Sequence, residues 1–92
     1  DSFALSMTPV SDIDACIEKL KTIADRFDIL RIKGFLDVSD KPMRLLVQGV
    51  GTRFRHQFDR PWTKNEKRHG ALVFIAEKGI DRAAVEQALA TL

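Results

Sequence analysis

The sequence predicts a single two-layer α/β domain of the α+β type, with two helices packed on a mixed, mostly antiparallel sheet of four to five strands. The length of 92 residues suits one domain. An apolar fraction of 45% and a charged fraction of 30% supply one core and a polar surface. Helical and strand-like patterns of apolar residues alternate along the chain in the order β-α-β-β-β-β-α, which predicts the layers.

The first strand and first helix follow from two different periodicities. Residues 2–7 alternate, with Phe3, Leu5 and Met7 on one face, which predicts a strand. Ser11 and Asp14 then have the spacing of a capping box. Behind them, apolar residues recur at steps of three and four and predict a helix over residues 12–27. Its core-facing residues are Ile13, Cys16, Ile17, Leu20, Ile23, Ala24 and Phe27.

Three further strands are predicted in the middle of the chain. Residues 29–38 alternate, and the core-facing positions are Leu30, Ile32, Leu36 and Val38. A turn at 39–42 leads to a strand at 43–50. Gly49 and Gly51 predict a bulge or a tight hairpin, and residues 52–58 alternate again.

The last third of the chain predicts a loop, a central strand and a second helix. Residues 59–70 are polar and form the loop, whereas residues 71–76 are uniformly apolar, as in a strand buried on both faces. Asp81 is a suitable N-cap. The core face of the second helix is predicted to be Ala84, Val85, Ala88, Leu89 and Leu92. The first helix would make its two flanking strands a parallel pair if they are adjacent.

Residues able to carry metal or nucleophilic chemistry are few and scattered. Cys16, His56 and His69 are the candidate metal ligands, and none has a close neighbour of its kind. Cys16 is expected to be a small buried hydrophobe, His56 a partly buried structural residue and His69 a solvated one. We therefore predict no metal, catalytic or cofactor-binding residue in this chain, and no enzymatic activity of its own.

Other function classes are excluded by what the sequence lacks. The glycines around Val50 have no following lysine and no strand-to-helix context, so they predict a hairpin turn and no phosphate-binding loop. No apolar run reaches the length of a membrane span. The single cysteine favours a reducing, cytoplasmic setting.

One feature exceeds what a solvated surface requires. Strand alternation places cations and glutamines on one face of three successive strands, and the following loop adds further cations around an exposed-looking Trp62. A solvated face and a docking surface for an acidic or phosphate-bearing partner explain this equally well. The candidate interaction face comprises Arg31, Lys33, Arg44, Gln48, Arg53, Arg55 and Trp62, with Gln57 beside it and Arg60, Lys64, Lys67 and Arg68 in the loop.

Five segments carry a resemblance to a known family. They are Arg-Ile-Lys-Gly-Phe-Leu at 31–36, Leu-Val-Gln-Gly-Val-Gly at 46–51, Phe-Asp-Arg-Pro-Trp at 58–62, Leu-Val-Phe-Ile-Ala at 72–76 and Gly-Ile-Asp at 79–81. In this order they resemble the C-terminal domain of CobW-type GTPases, and the resemblance runs from about residue 3 to residue 92. The segment at 58–62 is most similar to the cobalamin-pathway branch of that family.

The resemblance implies a larger parent protein, of which residues 1–92 are the C-terminal-like domain. Such proteins carry an N-terminal P-loop GTPase domain with a Cys-x-Cys-Cys motif, and they handle metals using GTP, Mg and Zn or Co. None of those motifs is in this chain. The implied partners are the N-terminal GTPase domain of the parent and a cobalamin-pathway protein, and the implied role is accessory, in cobalt handling.

A nucleic-acid-binding module is the alternative. Such a module stacks bases on aromatic side chains of its sheet. Only Phe35 falls on the basic face by alternation, which weakens this interpretation.

Overall fold

The computed structural model describes residues 1–77 and 79–90 and confirms the predicted class and element order. Its strands are β1 (Ser2–Met7), β2 (Ile29–Leu36), β3 (Met43–Val50), β4 (Arg53–Pro61) and β5 (Gly70–Ala76), and its helices are α1 (Ile13–Arg26) and α2 (Arg82–Ala90). None of the helices in this part of the chain is long and apolar enough to span a bilayer.

The sheet has the strand order β1-β5-β2-β3-β4, and each neighbouring pair is antiparallel. The apolar β5 lies between β1 and β2, which therefore run in the same direction without pairing. The predicted parallel pair required β1 and β2 to be adjacent in the sheet, and they are not. A parallel bridge joins Val10 to Val38, beyond the ends of these two strands. The most apolar strand takes an interior position because both of its edges are then hydrogen-bonded.

The helix ends show which polar residues cap them. The carboxylate of Asp12, and not the predicted Ser11, caps α1 by accepting a hydrogen bond of 3.0 Å from the Ala15 amide. Asp81 caps α2 as predicted, with 3.0 Å from its carboxylate to the Ala84 amide. After α1, Asp28 adopts a left-handed φ of 53°, which ends the helix and turns the chain into β2.

Both helices cover the same face of the sheet, and the core lies between the two layers. Its least exposed side chains are Leu20, Ile32, Leu36, Leu45, Val47, Leu72, Phe74 and Val85. On α2, Val85 and Leu89 are buried, Ala84 and Ala88 are half-buried, and Leu92 lies outside the described residues. The opposite sheet face carries no layer within the described residues; we call it the open face.

Three predictions about the strands are wrong. The strand predicted at 71–76 is not buried on both faces, because Val73 and Ile75 are 42% and 39% exposed on the open face, which lies away from the helices. The other two predictions fail at irregularities in pairing. The register between β2 and β5 shifts between Ile29 and Arg31, so Ile29 is buried and the predicted core residue Leu30 is 47% exposed. The strand β4 continues to Pro61, so the loop begins later than predicted. Asp59 is the extra residue of a bulge opposite Arg44 and Leu45.

Candidate docking surface

Strand register brings most of the predicted interaction residues together on the open face. Across β2, β3 and β4, one row runs from Arg31 through Val50 to Arg53. The next row runs from Lys33 through Gln48 to Arg55. Neighbouring strands lie about 4.8 Å apart, so the cations of each row are separated by about 10 Å with one β3 residue between them. These two rows form what we call the cationic end.

The described residues offer no hydrogen-bond or ion-pair partner to the cations of this end. Within residues 1–77 and 79–90, no hydrogen bond or ion pair is made by the side chains of Arg31, Lys33, Arg53 and Arg55. No acidic residue stands in either row. Four positive charges therefore face solvent together, where they create a local potential that attracts an anionic surface.

Apolar side chains stand beside these cations. Val73 and Ile75 of β5 are 42% and 39% exposed, and Val50 is 56% exposed. A shallow groove of about 660 Å³ runs between Ile75, Val50 and the surrounding cations. Exposed apolar residues next to unpaired charge are typical of a protein-binding surface, in which the apolar contacts are enclosed by a charged rim.

Arg44 lies on the same face but is already occupied. Its guanidinium donates to both carboxylate oxygens of Asp59, with distances of 2.8 to 3.1 Å. It also stacks over the Phe35 ring at 3.5 Å from the ring centre. The hydrogen bonds from Arg44 lower the pKa of Asp59 below its ordinary value. The predicted position of Arg44 is right, but its charge is neutralised locally.

Two more paired arginines lie at the end of β4 and in the loop that follows it. Arg60 donates to both oxygens of Glu66, whose carboxylate also accepts the Thr63 amide at 2.8 Å. The hydrogen bonds from Arg60 and, to a smaller extent, the one from the Thr63 amide lower the pKa of Glu66 to about 2. Arg68 binds Asp37 at 2.6 Å and also the carbonyls of Val38 and Lys41. We call the three arginine–carboxylate pairs, including Arg44 with Asp59, the paired end.

Trp62 is half-buried, so its expected exposure is wrong. Its amide donates to the Pro42 carbonyl at 3.0 Å, and Arg68 lies over its ring at 5.8 Å. The indole Nε1 is enclosed and has no acceptor among the described residues. Trp62 belongs to the paired end and does not extend the cationic end.

The remaining singled-out residues are separated from one another. Cys16 is buried on α1, and burial raises the pKa of its thiol. His56 is exposed on β4, contrary to the expected partial burial, and His69 Nε2 lies 3.3 Å from Ser6 Oγ. No group of three or more histidine, cysteine or acidic side chains able to hold a metal occurs in the described part of the chain.

Sequence reasoning missed the carboxylates of the paired end. Asp59 falls in the predicted loop, but β4 continues to Pro61; aspartate and proline are both depleted in strands, so the local sequence does not predict this extension. Asp37 lies at the end of the polar face by alternation, and no local pattern indicates that it pairs with Arg68. The exposure of Leu30 and Phe58 has no local signal either: that of Leu30 follows from the register shift between β2 and β5, and that of Phe58 from its place on the edge strand β4.

Known proteins are similar in sequence to this chain. The model of the family described as "Cobalamin synthesis protein cobW C-terminal domain" matches residues 2–92. Two curated proteins named "Zinc chaperone CobW", from Sinorhizobium sp and Pseudomonas aeruginosa, are 45% and 47% identical to this chain. The alignments cover 100% and 98% of this chain, but only 26% and 24% of those proteins.

A solved structure agrees with these relatives. The crystal structure of the Zn(II)-bound YjiA GTPase from E. coli superposes on all of this chain with a TM-score of 0.78 and 32% identity. The superposition covers 29% of that protein. The chain thus spans about a quarter of the length of the curated CobW relatives. The family model, the sequence identities and the superposed fold all agree over nearly the whole chain, and the chain belongs to the family of cobW C-terminal domains.

Proposed function

We propose that this chain is the C-terminal accessory domain of a metal-handling GTPase, and that its cationic end docks an acidic protein surface. The surface belongs either to the GTPase part of the parent or to a protein that receives its metal. The single observation that carries the docking role is the cluster of four unpaired cations beside exposed Val73 and Ile75. A solvated face would need neither the apolar residues nor a single sign of charge.

Zinc is the metal that the relatives favour. The CobW proteins are named zinc chaperones, and the YjiA GTPase was crystallised with Zn(II). The sequence-based expectation of cobalt, with a role in cobalamin synthesis, therefore becomes the second candidate. GTP, Mg and the transported metal are assigned to the remainder of the parent protein, and metal analysis of that parent purified from cells is expected to find zinc.

Nucleic-acid binding lacks support. The one aromatic residue that alternation assigned to the basic face, Phe35, is covered by the Arg44 guanidinium and cannot stack on a base. The exposed residues next to the cations are aliphatic, and they suit a protein surface better than a base.

Charge reversal at the cationic end tests the docking role. The double change Arg31→Glu with Lys33→Glu is expected to weaken binding of the separately produced GTPase part by about 100-fold, because it cancels the positive charge of Arg53 and Arg55 and places two carboxylates against an acidic partner. Calorimetry or biosensor binding measures this. Wild-type binding should also weaken as salt is raised to about 0.5 M, since exposed charges are screened.

The matched control is Lys64→Glu with Lys67→Glu, which changes the net charge equally but lies in the loop after β4. This control should bind as the wild type does. Equal loss in both double variants would show that overall charge governs association, and unchanged binding in both would show that the cationic end is only solvated.

A further inference from the structure

The outer edge of β4 is open for main-chain pairing. β4 is the last strand in the sheet order, so β3 pairs with one side of it and no strand of the described chain pairs with the other. With residues 53–61 it is also the longest strand. An exposed edge of this length presents a row of unpaired N–H and C=O groups.

The hairpin between β3 and β4 determines which groups point outward. Gly51 and Thr52 form a two-residue turn between the paired residues Val50 and Arg53, and Gly51 has a φ of 60°. Such a turn is closed by a hydrogen bond between its flanking residues. Main-chain groups then alternate along the strand, so those of Phe54, His56 and Phe58 point away from β3.

Only part of this edge is protected. The bulge at Asp59 and the proline at position 61 are two of the devices by which natural sheets prevent main-chain pairing at an edge. Residues 53–58 have neither device, and they keep a regular register with β3. Six residues of continuous edge therefore remain able to accept another strand.

The two faces beside this edge have different chemistry. Arg53 and Arg55 lie on the open face without an acidic partner in the described residues. On the helix side, Phe58 is 38% exposed, His56 is exposed and Phe54 is half-buried, because the helices do not extend fully over β4. A shallow groove of about 350 Å³ at this edge includes Arg55 and Gln57 on one face and Phe54 and His56 on the other.

We propose that the edge of β4 at residues 53–58 binds an extended segment of a partner protein whose residues alternate between acidic and apolar. The segment adds to the sheet as a further antiparallel or parallel strand, with main-chain hydrogen bonds to Phe54, His56 and Phe58. Its acidic side chains lie beside Arg53 and Arg55, and its apolar side chains cover Phe58 and flank Phe54.

Charge selects this occupant over a second copy of the chain. Another β4 edge would bring the same two arginines into the added sheet, where like charges on neighbouring strands repel. An acidic segment instead finds opposite charges at two alternate positions. Arginines on an edge strand also deter pairing with unspecific strands. The same positive charges therefore repel most strands and select an acidic one.

The test uses a synthetic eight-residue peptide of alternating glutamate and valine, with blocked ends, added to the 92-residue chain. Hydrogen exchange measured by NMR should slow by about tenfold at the amides of Phe54, His56 and Phe58, because these N–H groups acquire acceptors. A peptide of the same composition with its glutamates and valines in separate blocks should not slow them. Unchanged exchange at these three amides, or equal protection by the blocked-order peptide, would overturn the proposal.

A variant pair separates main-chain pairing from side-chain attraction. His56→Pro removes one outward N–H without touching the bonds to β3, and it should weaken the peptide by about tenfold. His56→Ala keeps the N–H and should bind as the wild type does. Equal binding by the two variants argues against strand addition, as does dimerisation of the peptide-free chain through β4 in sedimentation. If His56→Pro does not fold, the exchange pattern of the wild type decides alone.

This inference and the docking role fail separately. Docking at the cationic end is tested at Arg31 and Lys33 of β2, which lie away from the β4 edge. Loss of partner binding in the charge-reversal variant, together with unchanged exchange at the β4 amides of the wild type, would support the docking role and contradict strand addition.

Discussion

The cationic end and the paired end lie on the same open face and use the same residue type for opposite purposes. At the cationic end, Arg53 and Arg55 have no carboxylate within reach in the described chain. At the paired end, every arginine named above is held by a carboxylate: Arg44 by Asp59, Arg60 by Glu66 and Arg68 by Asp37. An arginine that the tertiary structure places beside a carboxylate contributes to the fold, and an arginine placed without one remains available to bind a partner.

The pairs at the paired end join separate parts of the chain. Arg44 and Asp59 connect β3 to β4, and Arg68 connects the loop before β5 to Asp37 at the end of β2. The Arg44–Asp59 pair is bidentate, which gives it a defined geometry, whereas Arg68 binds one oxygen of Asp37 with two of its nitrogens. The paired end thus links β3 to β4 and the loop before β5 to the end of β2, whereas the cations of the cationic end make no such link in the described chain.

The largest difference between the two ends should appear in thermal stability. Arg44→Glu places a carboxylate beside Asp59 and removes the cation from the Phe35 ring, and it is expected to lower the Tm by about 10 °C. Arg55→Glu makes the same change of charge at the cationic end and should shift the Tm by no more than about 2 °C. Thermal unfolding followed by circular dichroism measures both. Equal shifts would remove the distinction between the two ends.

A second difference should appear at acid pH. The pKa of Glu66 is lowered from 4.5 to about 2 in the folded chain, so its pair with Arg60 stabilises the fold fully above pH 4.5. That stabilisation is lost as the pH falls from 4.5 towards about 2. Urea unfolding should therefore show a steeper loss of stability over this range in the wild type than in Glu66→Gln.

The matched variant for this titration is Glu86→Gln on α2, which removes a carboxylate far from Arg60. It should keep the steep wild-type loss. If Glu66→Gln and the wild type lose stability in parallel below pH 4.5, the pair with Arg60 does not stabilise the folded chain.

The smallest effect is expected at Trp62, and its sign is informative. The indole Nε1 has no acceptor among the described residues, and a buried donor left without one costs free energy that would partly offset the burial of the ring. Trp62→Phe removes this donor and keeps an aromatic ring, and it should raise the Tm by about 2 °C. A clear fall in Tm would show instead that the indole donor is satisfied in solution, for example by a water molecule.

Local pattern predicted most of the architecture because helix and strand periodicities are properties of neighbouring residues. The core side of α1 and the alternation of β3 could be derived from the sequence, as could the Asp81 cap. Leu30 and Asp59 could not, since each sits at a register irregularity that exists only when the partner strand is in place. The position of β5 between β1 and β2 depends likewise on packing across the whole sheet.

The sequence by itself determined that one sheet face would be polar and rich in cations, because side chains of a strand alternate strictly between its two faces. It also determined the family, through segments spread over the chain. Only the tertiary structure decided which cations are available. The availability of a cation depends on carboxylates that are distant in sequence, such as Asp37 for Arg68. It also depends on which residues remain uncovered at a sheet edge. Neither can be derived from the local spacing of residues.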